Sequence, residues 1–372
     1  MKKSFKYRIY ANTETIQKAE KWLDLLRQLY NNCLSERIMA YRENKESVSV
    51  YTQMRKLPHI KKEFPEYRQI SSQTLQDVLQ RLDRAYQNFF LRVKNGSKKA
   101  GFPRFKGHHR YDSFTLKQAG YKLNGKYLLL KNIGKFKIKL SRPAEGTIKT
   151  ITVSRTSCSK WFVCFSCDRV PLKLLLKTNK EIGIDMGCKS FLTDSSGNKV
   201  KNPRFFKKSQ RLLIKRAQKL SHKKKSSNRR NKARILVAKA YERIFNQRKD
   251  FHFKVANRLL KENDIVYIEK LKYFKTFRNL NRSMRDAAWF DFFNILKAKA
   301  EEAGRKVIEA PARSTSQICS SCGTVVPKDL SVRVHNCSFC GLIIDRDYNS
   351  ALNILRLGQG LRGAETKVSA MN

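Results

Sequence analysis

Acidic side chains are scarce in this chain, 30 Asp and Glu against 80 Lys and Arg. Carboxylates that end apolar stretches are therefore the first residues to ask about. Asp185 closes the stretch IGID and is followed by Met-Gly, a turn sequence. Glu269 ends DIVYIE, and Asp347 lies in DRDYNSALNIL at the start of a helical pattern. Each has an ordinary reading: a turn residue, a strand-end charge, a helix N-cap. Together they fit one chemistry. Phosphodiester hydrolysis needs an activated water and a stabilised leaving oxygen, and two Mg²⁺ ions about 3.5–4 Å apart supply both. Mg²⁺ takes carboxylate oxygens and keeps some of its waters. Three carboxylates gathered by a sheet and a helix repel one another unless cations sit between them.

A second constellation is metallic on spacing alone. CSSC (Cys319 and Cys322) and CSFC (Cys337 and Cys340) are two C-x-x-C pairs separated by fourteen residues, each followed by glycine. Two such knuckles supply a closed thiolate tetrahedron with no open position, which predicts one structural Zn²⁺. A loop this poor in large apolar residues needs the ion to fold. Cys164 and Cys167 also read C-x-x-C, in WFVCFSC, but an alternating strand puts them on opposite faces. They are expected to be packing residues.

The third group is cationic. Arg211, Lys215 and Lys219 recur every four residues, and Lys223, Lys224, Lys225, Arg229 and Arg230 surround the sequence KKKSSN. A solvated helix face usually interleaves acids. Here they are nearly absent, so phosphate contact is expected. In GFPRFK, Phe102 and Phe105 alternate with Arg104 and Lys106. That pattern suits base stacking and phosphate contact, or equally two core anchors of a loop.

The elements that must position these groups are legible in outline. KSFKYRIYA alternates as a strand, and a helical period follows from Thr13 through Tyr30. A second helix is expected from about Ser72 to Val93, with a mixed segment between, around Tyr51 to Tyr67. Strands then dominate from about Ser113 to Val170. Residues 1–15 and 96–175 thus read as a β-rich body with a helical insertion at 16–95. EIGIDMG and SFLTD, joined by a turn, open a new domain in the way an RNase H-like sheet begins. A basic helical hairpin follows from about Phe205 to Leu260, then the strand at Glu269, a helix over 286–303 and the strand KVIEAP. Residues 344–360 return to close the domain begun at 181–312, with the zinc loop at 313–343 between. The tail at 361–372 reads as polar and loose. The fold class is multidomain α+β.

Composition narrows the function. A net charge of +50 over 372 residues costs stability unless a polyanion neutralises it, and a phosphate backbone is the natural partner. No apolar run is long enough to span a membrane, and the start MKKSFKYRIYANTE has no apolar core of a secretory signal. An odd count of nine cysteines argues for reduced thiols. Cytoplasmic residence is expected, at the prokaryotic nucleoid when on DNA.

GIDMG, IVYIEKL, TSQICSSCG, CSFCG and DRDYNSALNI, in that order, with GFPRFK and an N-terminal KYRIYAN, make the chain resemble TnpB. This is the nuclease family of small bacterial and archaeal insertion elements, related to the type V CRISPR effectors. The resemblance runs nearly the whole length. It implies a RuvC-type nuclease in three parts with Asp185, Glu269 and Asp347 as Mg²⁺ ligands, the second aspartate of DRD rather than Asp345. It implies an assisting role for Arg333, and a wedge-like, barrel-like β domain carrying a helical recognition insertion. It further implies a guide RNA from the element's own end, one chain per RNA, and a double-stranded DNA target beside a short motif that the protein reads. The basic hairpin would lie along an RNA–DNA heteroduplex, which is recognised by shape. Candidates for reading the motif are Tyr51, Gln53, Gln73, Gln76 and Thr115, since Gln pairs bidentately with adenine. The expected function is RNA-guided DNA cleavage. The competing readings are a catalytically silent guided repressor, a general nucleic-acid binder, and a strand-joining transposase.

Overall fold

The computed structural model describes residues 1–97, 99–108, 110–117, 119–270, 278–311, 315–329 and 331–369. They form two compact units, Met1–Pro171 and Leu172–Asn372.

In the first unit, strand β1 (Lys3–Tyr10) is followed by helices α1 (Thr13–Asn44), α2 (Val50–Glu63) and α3 (Ser72–Lys94). Six strands complete it: β2 (Ser113–Leu116), β3 (Tyr121–Asn124), β4 (Tyr127–Leu130), β5 (Gly134–Lys139), β6 (Thr147–Arg155) and β7 (Trp161–Asp168). The sheet runs β2-β6-β7-β1-β5-β4-β3, antiparallel throughout. Its edges β2 and β3 stay apart, so it is a curled half-barrel and not a closed one. Asn12 caps α1 by accepting from the Thr15 amide at 2.9 Å. Residues Ala19, Trp22, Leu26 and Leu29 then fall on one buried stripe. Trp22 meets Phe114 of β2, ring centroids 5.6 Å apart. In β7 Cys167 is buried and Cys164 is half-buried on the other face.

The segment read as mixed is the helix α2, with Pro58 inside it. Proline removes an intrahelical donor, but Ser49 caps the helix at Thr52 and burial of Gln53 and Leu57 holds it.

The second unit opens with β8 (Glu181–Met186), β9 (Ser190–Asp194) and β10 (Lys199–Lys201). The basic hairpin follows as α4 (Phe205–Ser221) and α5 (Asn228–Glu262), then β11 (Ile265–Glu269), α6 (Arg278–Ala287), α7 (Trp289–Ala303) and β12 (Lys306–Ala310). The short strands β13 (Val334–Asn336) and β14 (Ile343–Asp345) lead into α8 (Arg346–Ser369). The main sheet has the order β10-β9-β8-β11-β12, with β8, β11 and β12 parallel and β9 and β10 antiparallel. Its two faces are both covered, as a parallel sheet requires. Ile182, Ile184, Val266 and Ile268 pack with Val255, Leu259, Phe292 and Leu296 of α5 and α7. Tyr267 packs on the opposite side with Ile354 of α8.

Two boundaries differ from expectation. The helix read over 286–303 breaks at Ala288 (φ 52°). His252, buried in the neighbouring helix, places Nε2 3.0 Å from the Ala287 carbonyl and satisfies that helix end. The tail read as loose continues α8 through Ser369. Gln359 and Arg362 both reach back to the Glu181 carboxylate at the start of β8, which anchors the helix beyond its apolar stretch. Among the described residues no helix is long and apolar enough to cross a membrane.

Candidate active site and cysteine cluster

Strands β8 and β11 run side by side in register, Ile184 opposite Ile268. Asp185 and Glu269, the next residues of each, therefore leave the sheet at one level and on one face. Helix α8 brings the third carboxylate to that face. It passes so close to β8 that a Cβ on Gly183 would stand 2.4 Å from the Ala351 carbonyl oxygen and 2.7 Å from the Leu355 amide nitrogen. Only glycine allows that approach. The same descent sets the first turn of α8 beside the β8–β9 turn, with Asp347 Oδ2 3.9 Å from where a Cβ of Gly187 would stand.

Asp345, not Asp347, caps α8. Its Oδ1 accepts from the amides of Asp347 and Tyr348 at 3.0 and 3.2 Å, and its Oδ2 lies 2.6 Å from Lys199 Nζ. Asp347 is thus spared for other work. Its Oδ1 has Arg346 Nη2 at 3.5 Å and Arg333 Nη1 at 3.9 Å.

Burial, then the neighbouring Glu269 and Asp347 charges, hold the Asp185 carboxyl well above the ordinary carboxylate range. Its side chain keeps an edge in solvent while protein atoms crowd the rest. Burial also raises Glu269, against a hydrogen bond of 3.3 Å donated by Thr315 Oγ1. The Ser350 hydroxyl bonds to the Asp185 carboxyl, and its Oγ stands 3.4 Å from Thr315 Oγ1. Asp185, Ser350, Thr315 and Glu269 thus form one chain, with two buried hydroxyls between two carboxyls. Among the described residues the four cysteines are the metal-ligating group drawn within 4.8 Å; the carboxylates stand wider. A pair of ions about 3.5–4 Å apart requires a wider set than one ion does.

The pH consequence has a definite sign. An acid raised on folding holds its proton in the native state over a window where the unfolded chain has lost it. Ion-free stability therefore falls as pH rises through that window. Divalent ions bound by these carboxyls would have to displace the protons. Activity at limiting Mg²⁺ should fall on the acid side, and saturating Mg²⁺ should move that limb to lower pH. A rate–pH profile at two Mg²⁺ concentrations checks this; a limb unmoved by Mg²⁺ would contradict it.

The cysteines form two matching knuckles. Cys319 and Cys337 are fully buried; each accepts at its carbonyl from the following glycine, Gly323 at 3.0 Å and Gly341 at 2.9 Å. Those glycines have φ of 80° and 73°, where a side chain is strained. Cys319 and Cys340 sulfurs stand 3.6 Å apart, as do those of Cys322 and Cys337. The Thr324 hydroxyl, 3.3 Å from Cys322, draws that thiol down to about 6. The cluster is compatible with a structural zinc ion.

Sequence reasoning did not see the polar face of α8. Asn349, Ser350 and Asn353 are buried. Asn349 donates to the Ile318 carbonyl at 2.7 Å and accepts from the Ser320 amide at 2.9 Å; Asn353 donates to the Thr315 and Ile318 carbonyls. The i, i+4 spacing of the asparagines was the available signal.

A cleft of about 450 Å³ was also missed, apart from Arg333. It is lined by Lys189, Arg204, Lys207, Arg282 and Arg333 together with Cys188 and Asp286. Asp286 accepts from the amides of Phe206 and Lys207 and so caps α4, whose own N-cap residue Arg204 gives no side-chain bond.

The nucleic-acid candidates divide. On the hairpin, Arg211, Lys215, Lys219, Lys223, Lys224, Lys225 and Arg229 are exposed. Arg230 is instead the clamp of the hairpin turn, donating to the Leu220 and Lys223 carbonyls at 2.9 Å each. In the first unit Gln53 is 1% exposed and fully bonded to Cys33, Glu36 and Arg37, so it cannot read a base as it stands. Thr115 accepts from Arg81 at 2.9 Å. Tyr51 is exposed, and Gln73 and Gln76 are half-exposed. Phe102 meets Tyr86 and Phe89 edge-on yet is itself 46% exposed, and Arg104 and Phe105 are exposed too. The Lys106 backbone is clamped by Asn31.

Comparison with known proteins agrees with this fold. Residues 168–280 match a family profile described as "Probable transposase", and 289–354 one described as "Cas12f1-like, TNB domain". A "Helix-turn-helix domain" profile matches 1–46, although those residues form one strand and a single 32-residue helix. The chain is 34% identical over 370 residues to a "Putative RNA-guided DNA endonuclease" of Streptomyces pristinaespiralis, covering 96% of this chain and 90% of that one. It is 30% identical over 310 residues to the "Putative RNA-guided DNA endonuclease InsQ" of Escherichia coli K12, covering 78% and 75%. Among solved structures, a Cas12f1–sgRNA–target DNA complex matches with a TM-score of 0.52 at 16% identity, over 95% of this chain and 98% of that one. The chain belongs to the TnpB family, related to the type V CRISPR effectors.

Proposed function

We propose that this chain is an RNA-guided DNA endonuclease with a RuvC-type, RNase H-like site at Asp185, Glu269 and Asp347. The observation that carries this reading is the convergence of three carboxylates from β8, β11 and α8, with Asp185 raised by burial first and by both others after it. The donor set fits hard divalent cations. Two bound Mg²⁺ ions would supply an activated water and charge stabilisation at the scissile phosphate. The chain's own part is to hold the carboxylates in place through Ser350 and Thr315, and to present phosphate-binding cations beside them. Arg333, near Asp347 and half-exposed on the basic cleft, suits the scissile phosphate. The cleft would carry the flanking backbone of the strand being cut. The exposed hairpin cations would hold the guide–target heteroduplex, which is bound by backbone and shape. The cysteine cluster would hold one structural Zn²⁺. Tyr51, Gln73 and Gln76 remain candidates for contact with the motif beside the target, and Arg104 and Phe105 for base stacking and phosphate contact.

The test begins by sequencing the RNA that co-purifies with the chain. Matched double-stranded DNA with randomised flanks is then supplied in Mg²⁺ or EDTA. A discrete RNA and Mg²⁺-dependent breaks beside one flanking motif are expected. Strand-transfer products would favour a transposase. Bound but uncut DNA would favour a silent guided binder.

A further inference from the structure

Across the face that carries the carboxylates, the register defines a row of three residues on adjacent strands. Thr193 of β9 stands directly opposite Asp185 of β8, and Glu269 of β11 follows at the same level. Directly opposed antiparallel residues have Cβ atoms about 4.5–5.5 Å apart with side chains on one face. Thr193 is 1% exposed, and its Oγ1 is closed to solvent without a hydrogen-bond partner. Its neighbours on β9 and the following turn are engaged: Asp194 accepts from the Ser196 and Asn198 amides, and Ser195 Oγ from the Gly183 amide. A buried hydroxyl without a partner destabilises the fold, and valine would fill the same volume without one. The hydroxyl is therefore out of place in a purely structural position, and it sits beside the most crowded carboxyl of the site.

We infer that Thr193 is a positioning residue, whose hydroxyl donates to the Asp185 carboxylate when divalent cations occupy the site. A fully ionised carboxylate accepts at both oxygens, and Ser350 serves only part of that capacity. A side-chain rotation at Thr193 would supply a further donor and fix the orientation of Asp185 toward the ions. The inference rests on the nuclease reading of the site.

Mn²⁺ binding to the full-length chain, counted by electron paramagnetic resonance of free Mn²⁺, tests it without reference to cutting. Asp185→Asn serves as the control for the site. Thr193→Val should weaken Asp185-dependent Mn²⁺ binding by roughly 10-fold, and Thr193→Ser should stay within about twofold of the parent, as outer-shell donors to metal ligands behave. In EDTA the valine variant should melt no lower than the parent. Parent-like Mn²⁺ affinity in the valine variant would overturn the inference alone. So would a serine variant as weak as valine, since shape would then be what matters. A parent chain with no Asp185-dependent Mn²⁺ binding would overturn the nuclease reading and this inference with it.

Discussion

Asp185→Asn should leave RNA binding unchanged, abolish cutting, and raise the melting temperature of the ion-free chain. The three effects share one cause. Asp185 sits in a crowded site beside two other carboxylates and is held well above the usual carboxylate range by burial first and by those charges second. Replacing it with a neutral isostere removes a repulsion that only cations offset. Relief of ~1 kcal/mol would lift the melting temperature by about 2–4 °C in a unit of this size. On the proposed reading the same change removes an ion ligand, and the lost transition-state charge stabilisation would be several kcal/mol, on the order of 10³-fold or more in rate. RNA affinity should hold, because the exposed hairpin cations proposed to make the phosphate contacts are separate residues of the sequence. Single-turnover cutting, a filter-binding assay and a melting curve in EDTA read the three quantities separately. A variant that cuts at the parent's rate would remove Asp185 from the site. One that loses RNA binding as well would mean that the substitution damages more than the ion cage.

The opposite signs of those effects separate what the sequence disclosed from what it concealed. Residue type and placement marked the carboxylates, because an acid ending an apolar strand in a chain of +50 is conspicuous. The spacing of the cysteines carried their geometry, since C-x-x-C followed by glycine encodes a knuckle locally. What depended on tertiary partners did not show. DRD offers two aspartates before one helix, and only the amides of Asp347 and Tyr348 on Asp345 reveal which one is the cap. Gln53 has the composition of a base reader and the burial of a strut. Arg230 belongs to the basic run by charge but is consumed by two carbonyls of its own turn. Pro58 stands inside a helix, in the segment read as mixed, that a serine cap and two buried side chains sustain. Thr315 and Ser350, which link Asp185 to Glu269, carry no signal at all in a sequence with many hydroxyls. Their role exists only because α8 passes over Gly183.

That passage also couples the cysteine cluster to the carboxylates, so loss of the knuckles should be felt in cutting. The segment entering the first knuckle is held to α8 by Asn349 and Asn353 through Ile318 and Ser320. The same segment begins with Thr315, the donor to Glu269. Structural zinc contributes about 10–16 kcal/mol to folding of isolated finger peptides, far more than these hydrogen bonds, each worth roughly 0.5–1.5 kcal/mol. Without the proposed zinc ion the four thiols would have little apolar packing to hold them, and the loop and its hold on Thr315 should loosen together. Cys337→Ser, at a fully buried thiol, should therefore lose zinc and speed hydrogen exchange at the Ser320 and Gly341 amides. Cutting should fall by roughly 10–100-fold, the cost typical of removing support from metal ligands, with the five-stranded sheet still protected from exchange. Zinc content by mass spectrometry, exchange by peptide mapping and a cutting assay measure the three links in order. A zinc-free chain with unchanged cutting would show that Glu269 is held without Thr315. The coupling would then run no further than the knuckles.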